Sequence, residues 1–256
     1  MHAVIEPRGA PWQRTGTLVG VGLLGVVALV LQPLPQAALT AQPELAALPW
    51  WALKLLALVN PTVLLVVAAL VGVLVAHRVG LRSLLAGTAQ PGERTQGWWL
   101  AAVAGLATGA LIVGLDMLLA PWLGGPWQAF LSQASHADAS ALLMGVLYGG
   151  ITEEILMRWG LMSALAWALW SLGGQRHLGA SLVLAALVTA VVFGLAHLPV
   201  LQAQLELSAG MVWRTVCLNG LAALVYAWVF WRHHLEAAML SHACSHLAMG
   251  ALWALT

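Results

Sequence analysis

Between Trp50 and Ala76 the chain passes through a single charged residue, Lys54, and apolar runs of similar length recur along its 256 residues. A helix needs about 20 apolar residues to cross roughly 30 Å of hydrocarbon. Lipid offers no hydrogen bonds, so every backbone N–H and C=O in it must be bonded inside the protein. The pattern therefore predicts an all-α fold, a polytopic transmembrane helix bundle. Spanning segments are expected at Gly16–Leu31, Trp50–Ala76 with a kink at Asn60-Pro61, Trp98–Leu119, Gly179–Leu198 up to Pro199, Ala209–Phe230 and Leu235–Ala254. The stretch from Ala137 to Trp170 is too long for one straight crossing, and Gly149-Gly150 could divide it. It reads as one kinked helix or two, for seven or eight crossings in all. Trp50, Trp51, Trp98, Trp99, Trp122, Trp127 and Trp231 fall at expected helix ends, where interfacial aromatics gather.

Composition agrees. Only 7% of residues are charged and 61% are hydrophobic, whereas soluble domains carry about 25% charge. Net charge is +1 and Lys54 is the sole lysine, which leaves no basic stripe for nucleic acid. Cys217 and Cys244 lie in apolar runs with no metal or redox spacing and read as small buried residues. No A-x-A site follows the first apolar run, so it reads as a retained helix rather than a removed signal peptide. No repeat, soluble domain or linker is visible, and residues 1–256 are read as one integral membrane domain.

Cytoplasmic loops hold the excess of Lys and Arg. Arg8 and Arg14 place the N-terminus in the cytoplasm, and Arg78, Arg82 and Arg94 place the second loop there. Arg176 and Arg232 join them only if the Ala137–Trp170 stretch makes one net crossing. An arginine-rich, lysine-poor chain points to a GC-rich bacterial genome and hence to an inner membrane.

Charge at mid-bilayer costs on the order of 3 kcal/mol, so polar residues inside such helices face the bundle interior and have work to do there. Three clusters meet that description. Glu154 and Arg158 are spaced i,i+4 with the acid first, the favourable order for a helical ion pair, which leaves Glu153 unpaired about 100° around the helix. His197 ends an otherwise apolar helix after Phe193. His242 and His246 share a face at i,i+4, able to act as paired metal ligands or hydrogen-bond donors. Each has a plainer reading: an ion pair at a helix start capped by Thr152, an interfacial histidine, a polar helix end. Together they are harder to set aside, because His177, His233 and His234 already occupy the loop positions. Asp116 and Arg214 read as structural, and Gly145, Gly149 and Gly150 as helix-packing residues.

These residues resemble the CAAX prenyl protease and bacteriocin-processing group (CPBP, or Abi) of intramembrane proteases. Two glutamates, three residues and an arginine correspond to Glu153, Glu154 and Arg158. The family's F-x-x-x-H corresponds to Phe193 and His197, and its H-x-x-x-N to His242 and His246. The likeness runs from about Leu142 to Ala251, read as the catalytic core (142–251). Met157 stands where an aromatic residue is common, Trp159 separates the arginine from Gly160, and His246 replaces the usual asparagine.

The resemblance implies hydrolysis of a peptide bond in a membrane protein or lipidated peptide substrate. Glu153, helped by His197, would activate water, Glu154 with Arg158 would hold the site together, and His242 with His246 would stabilise the oxyanion. A rival route has Glu153, His197, His242 and His246 bind zinc, so the cofactor is none or zinc. A proton- or metal-coupled transporter would also carry such residues, although matched halves with broken helices are missing. An inactive, membrane-binding relative is the third reading.

Overall fold

The computed structural model describes residues 7–33, 43–89, 92, 97–134 and 139–255, and among them it is all-helical. The main helices are α1 (Pro11–Ala28), α2 (Trp50–Val75), α3 (Trp98–Leu123), α4 (Gly125–Ala134), α5 (Ala139–Leu172), α6 (Leu178–Ala196), α7 (Leu198–Gln202), α8 (Ala209–Arg232) and α9 (Leu235–Trp253). Among the described residues six of these segments are long and apolar enough to span a bilayer. α9, with 19 residues, is long enough but more polar. Arg94, Ala137 and the Leu34-Pro35 pair lie outside the described residues. α2 runs unbroken through a buried Pro61.

The stretch expected to be one kinked helix or two is one continuous helix, α5. Gly149-Gly150 does not divide it. From Gly145 to Glu153 and again from Ile155 to Met162 the backbone adopts wider π-helical turns. A break here would strand polar backbone in hydrocarbon, whereas i→i+5 bonding keeps it satisfied. Thr152 is consequently no helix cap. It sits in mid-helix, and its hydroxyl donates to the carbonyl of Gly22 on α1 at 2.7 Å.

α5 is the centre of the bundle, with α1, α2, α6 and α9 against it. Lipid tails are as apolar as leucine, so close packing and interhelical hydrogen bonds, rather than hydrophobic burial, hold such helices together. Gly72 of α2 lies against Trp159, which is fully buried and donates its indole N–H to Ala69 at 3.3 Å. Gly105 and Gly109 of α3 lie against the backbone of Ser241 and Ser245 on α9. The opposite faces of these helices expose Leu55, Val59, Val63, Val67, Leu111 and Leu118, as contact with lipid requires.

A single crossing by α5 decides where the arginines go. Arg8 donates its backbone N–H to Gly87, Leu235 donates to the carbonyl of Arg82, and Arg82 and Arg232 line one cavity with the start of α6. Arg78 and Arg176 adjoin these helix ends, so Arg8, Arg78, Arg82, Arg176 and Arg232 gather on one face of the bundle, whereas Lys54 and Arg214 stand near the opposite helix ends.

Some expectations change. Trp127 is buried inside the protein and stacks under Arg214, whose guanidinium carbon lies 4.8 Å from the ring centre. That arginine is paired with Asp116 between α3 and α8. His234 is buried as the N-cap of α9, accepting from Ala237 N–H at 3.2 Å. Cys244 is buried but Cys217 is only half-buried.

Candidate active site

The polar cluster forms where α5, α6, α8 and α9 approach one another. The i,i+4 spacing of α5 sets Arg158 3.2 Å from the Glu154 carboxylate, and both side chains are wholly buried. The same oxygen, Oε1, lies 2.8 Å from Nδ1 of His242 on α9. A carboxylate beside a guanidinium is ionised, so His242 donates through Nδ1–H and its Nε2 carries the lone pair. Arg158 also donates to the carbonyl of Ala223 at 3.2 Å and lies over the rings of Phe193 and Tyr226, 4.8 and 5.2 Å from their centres. Glu154 Oε2 and Arg158 Nε are buried without a hydrogen-bond partner among the described residues, which is uncommon outside functional sites.

His197 caps α6. Its Nδ1 lies 2.8 Å from the carbonyl of Phe193, one turn back. A carbonyl only accepts, so Nδ1 holds the proton and Nε2 is free to accept. The F-x-x-x-H spacing is thus a tautomer lock as well as a packing device, because the Phe193 ring meets both His197 and His242 edge-on at 4.6 and 5.9 Å. His246 lies one turn beyond His242 and stacks on it, with ring centres 5.0 Å apart and 18° between planes.

Glu153 is half-buried and makes no hydrogen bond or ion pair among the described residues. It and His197 lie within electrostatic reach of His242. None of these side chains is among the exposed residues. The structure therefore brings Glu154, Arg158, His197 and His242 into one contiguous cluster, with Glu153 and His246 at its edge.

Sequence reasoning missed two participants. Tyr226 of α8 stacks on His242 at 4.3 Å and 18°. Its hydroxyl lies 2.5 Å from Ser245 Oγ, which donates to the His242 carbonyl at 2.7 Å. Ser245 has spent its proton there, so Tyr226 is the donor in the first bond. Ser245 stands within the His242–His246 motif, one helical turn from His242, whereas Tyr226 lies in another helix with no spacing that ties it to the motifs. Gly145 and Gly149 were read only as packing residues, and what they admit is the His246 ring. A Cβ on Gly145 would stand 2.6 Å from Nδ1 and one on Gly149 2.6 Å from Nε2. Gly149→Ala is therefore expected to displace the imidazole and lower activity, even though alanine favours a helix by roughly 0.5–1 kcal/mol. Cleavage rate measured beside the unfolding temperature checks this, and an unchanged rate would mean that the ring's position is immaterial.

For zinc, the free Nε2 atoms of His197 and His242 have the right chemistry. Among the described residues, however, no three His, Cys, Asp or Glu side chains are grouped closely enough to hold a metal ion.

A family model described as Type II CAAX prenyl endopeptidase Rce1-like matches residues 135–248. No curated protein and no solved structure matches the chain. The matched segment contains Glu153, Glu154, Arg158, His197, His242 and His246. Over residues 135–248, which hold all six of these side chains, the chain is similar to the Rce1-like type II CAAX prenyl endopeptidases.

Proposed function

We propose that the chain is an intramembrane endopeptidase that hydrolyses a peptide bond in a membrane-associated substrate, a prenylated or C-terminal-tail peptide being the first to try. The observation that carries this reading is an unengaged Glu153 beside a Glu154 held by Arg158 and His242. One carboxylate is built into the scaffold and its neighbour is left for chemistry.

A water held between Glu153 and Nε2 of His197 donates one hydrogen to each. As its oxygen attacks the scissile carbonyl, Glu153 takes the proton and the carbonyl electron pair moves onto oxygen. His246 donates an N–H to that oxyanion, and preorganised donors of this kind are usually the largest catalytic contribution. His242 can join it only as an imidazolium, because its Nδ1–H is committed to Glu154. Glu153 then returns the proton to the leaving nitrogen as the C–N bond breaks. No step passes through a metal. We further propose that the arginine-bearing face looks into the cytoplasm of a bacterial inner membrane.

The test is cleavage of a panel of prenylated and transmembrane-tail peptides by the purified chain, with His246→Asn as the deciding variant. An amide supplies an N–H of similar reach, so an oxyanion donor should survive the change with activity within about tenfold of the parent. A zinc ligand would not survive it, and metal content and rate would fall together. Such a coupled loss would overturn the metal-free reading, and failure to cleave any peptide would favour a transporter or an inactive relative.

A further inference from the structure

Tyr226 of α8 takes no part in the steps above, yet it meets His242 at two places. Its ring lies against the imidazole, with 4.3 Å between centres and 18° between planes. Its hydroxyl donates to Ser245 Oγ at 2.5 Å, and that hydroxyl in turn donates to the backbone carbonyl of His242 at 2.7 Å. Tyr226 thus reaches the histidine ring directly and is itself tied, through Ser245, to the turn of α9 that carries it. Tyr226 and Ser245 are both buried, so solvent does not compete for these contacts.

His242 needs such a neighbour. Its bond from Nδ1–H to Glu154, at 2.8 Å, holds one corner of the ring. The torsion that turns an imidazole on its Cβ has broad preferences, so a ring held at one corner can still swing and carry Nε2 with it. A flat, close-packed neighbour resists that swing. The same turn of α8 serves Arg158, whose guanidinium donates to the Ala223 carbonyl at 3.2 Å and lies 5.2 Å from the centre of the Tyr226 ring. Both partners of Glu154 therefore meet α8 between Ala223 and Tyr226. Packing α8 against α9 would by itself require neither a flat face nor a hydroxyl at this position.

We propose that Tyr226 is a positioning residue that sets the plane of the His242 imidazole, and with it the direction in which Nε2 faces the substrate. This role presupposes the protease reading.

The experiment compares Tyr226→Leu, Tyr226→Phe and Phe230→Leu in the full chain in detergent. Phe230 lies one turn further along α8, is as deeply buried, and packs edge-on against Trp159 at 6.3 Å. Its leucine variant measures what the loss of an aromatic ring does to packing alone. Tyr226→Leu should lower kcat about tenfold to a hundredfold, as a misplaced reacting group does, with KM little changed. Tyr226→Phe keeps the flat face and loses one hydrogen bond, so kcat should return to within about fivefold of the parent. Phe230→Leu should lower the unfolding temperature as Tyr226→Leu does and leave kcat as it was. One readout needs no turnover. In NMR of the chain carrying isotope-labelled histidine, the His242 signal, identified by its loss in His242→Gln, should show the Nδ1–H form in the parent and in Tyr226→Phe, and a mixture of the two ring-nitrogen forms in Tyr226→Leu. A Tyr226→Leu protein whose kcat falls no further than that of Phe230→Leu, or whose His242 signal is that of the parent, overturns the proposal. A parent that cleaves no peptide would end the protease reading instead, and the His242 signal would still decide whether Tyr226 fixes the ring.

Discussion

Glu153→Gln is expected to lower the cleavage rate by about 10²- to 10⁴-fold, the usual contribution of a general base. Glutamine keeps the length and shape of the side chain and removes only its ability to take a proton. Folding should be nearly unaffected, because Glu153 makes no ion pair or hydrogen bond among the described residues. His197→Ala should act in the same way, through loss of the Nε2 acceptor. The contrast with Glu154→Gln is the sharper test, because that carboxylate is shared by Arg158 and His242. The Glu154 variant should lose stability as well as rate. Full activity in Glu153→Gln together with a dead but folded Glu154→Gln would move the base role to Glu154 and sink the assignment.

Arg158→Ala should give the largest loss of stability in the molecule, about 3–5 kcal/mol, because removing one partner of a buried pair leaves the other charge uncompensated. Arg158 is wholly buried, and besides Glu154 it serves the Ala223 carbonyl and the faces of Phe193 and Tyr226. Arg158→Lys should recover only part of this, since a point charge cannot replace a planar fork that also lies over rings. Adding Glu154→Gln to Arg158→Ala should restore some stability by removing the stranded charge. Unfolding temperature in detergent measures all three. An Arg158→Ala protein that unfolds with the parent would show that the pair holds nothing together.

Much of this could be read from residue order. Glu154 and Arg158, Phe193 and His197, and His242 and His246 are each one helical turn apart, and helical geometry alone makes such neighbours meet. Tyr226 could not be read so. Stacking on a particular imidazole depends on how α8 lies against α9, and an apolar helix carries no record of that in its periodicity. Trp127 misled for a related reason. It stands at a helix end in sequence, yet α4 folds back and buries it under Arg214.

The sequence alone determined that the chain is a bundle of membrane helices, because hydrocarbon permits few other ways to satisfy a backbone. It also determined which polar residues stand in that bundle, since a charge there is too costly to keep without a task. Only the tertiary structure decided that α5 is one continuous helix with π-helical turns, and that Arg82 and Arg232 meet the start of α6 on one face. It likewise decided which ring nitrogen of His197 and His242 holds the proton. Those outcomes rest on atoms brought together from helices far apart in the chain: Glu154 and His242 are separated by 88 positions, and no local rule of spacing reaches that far.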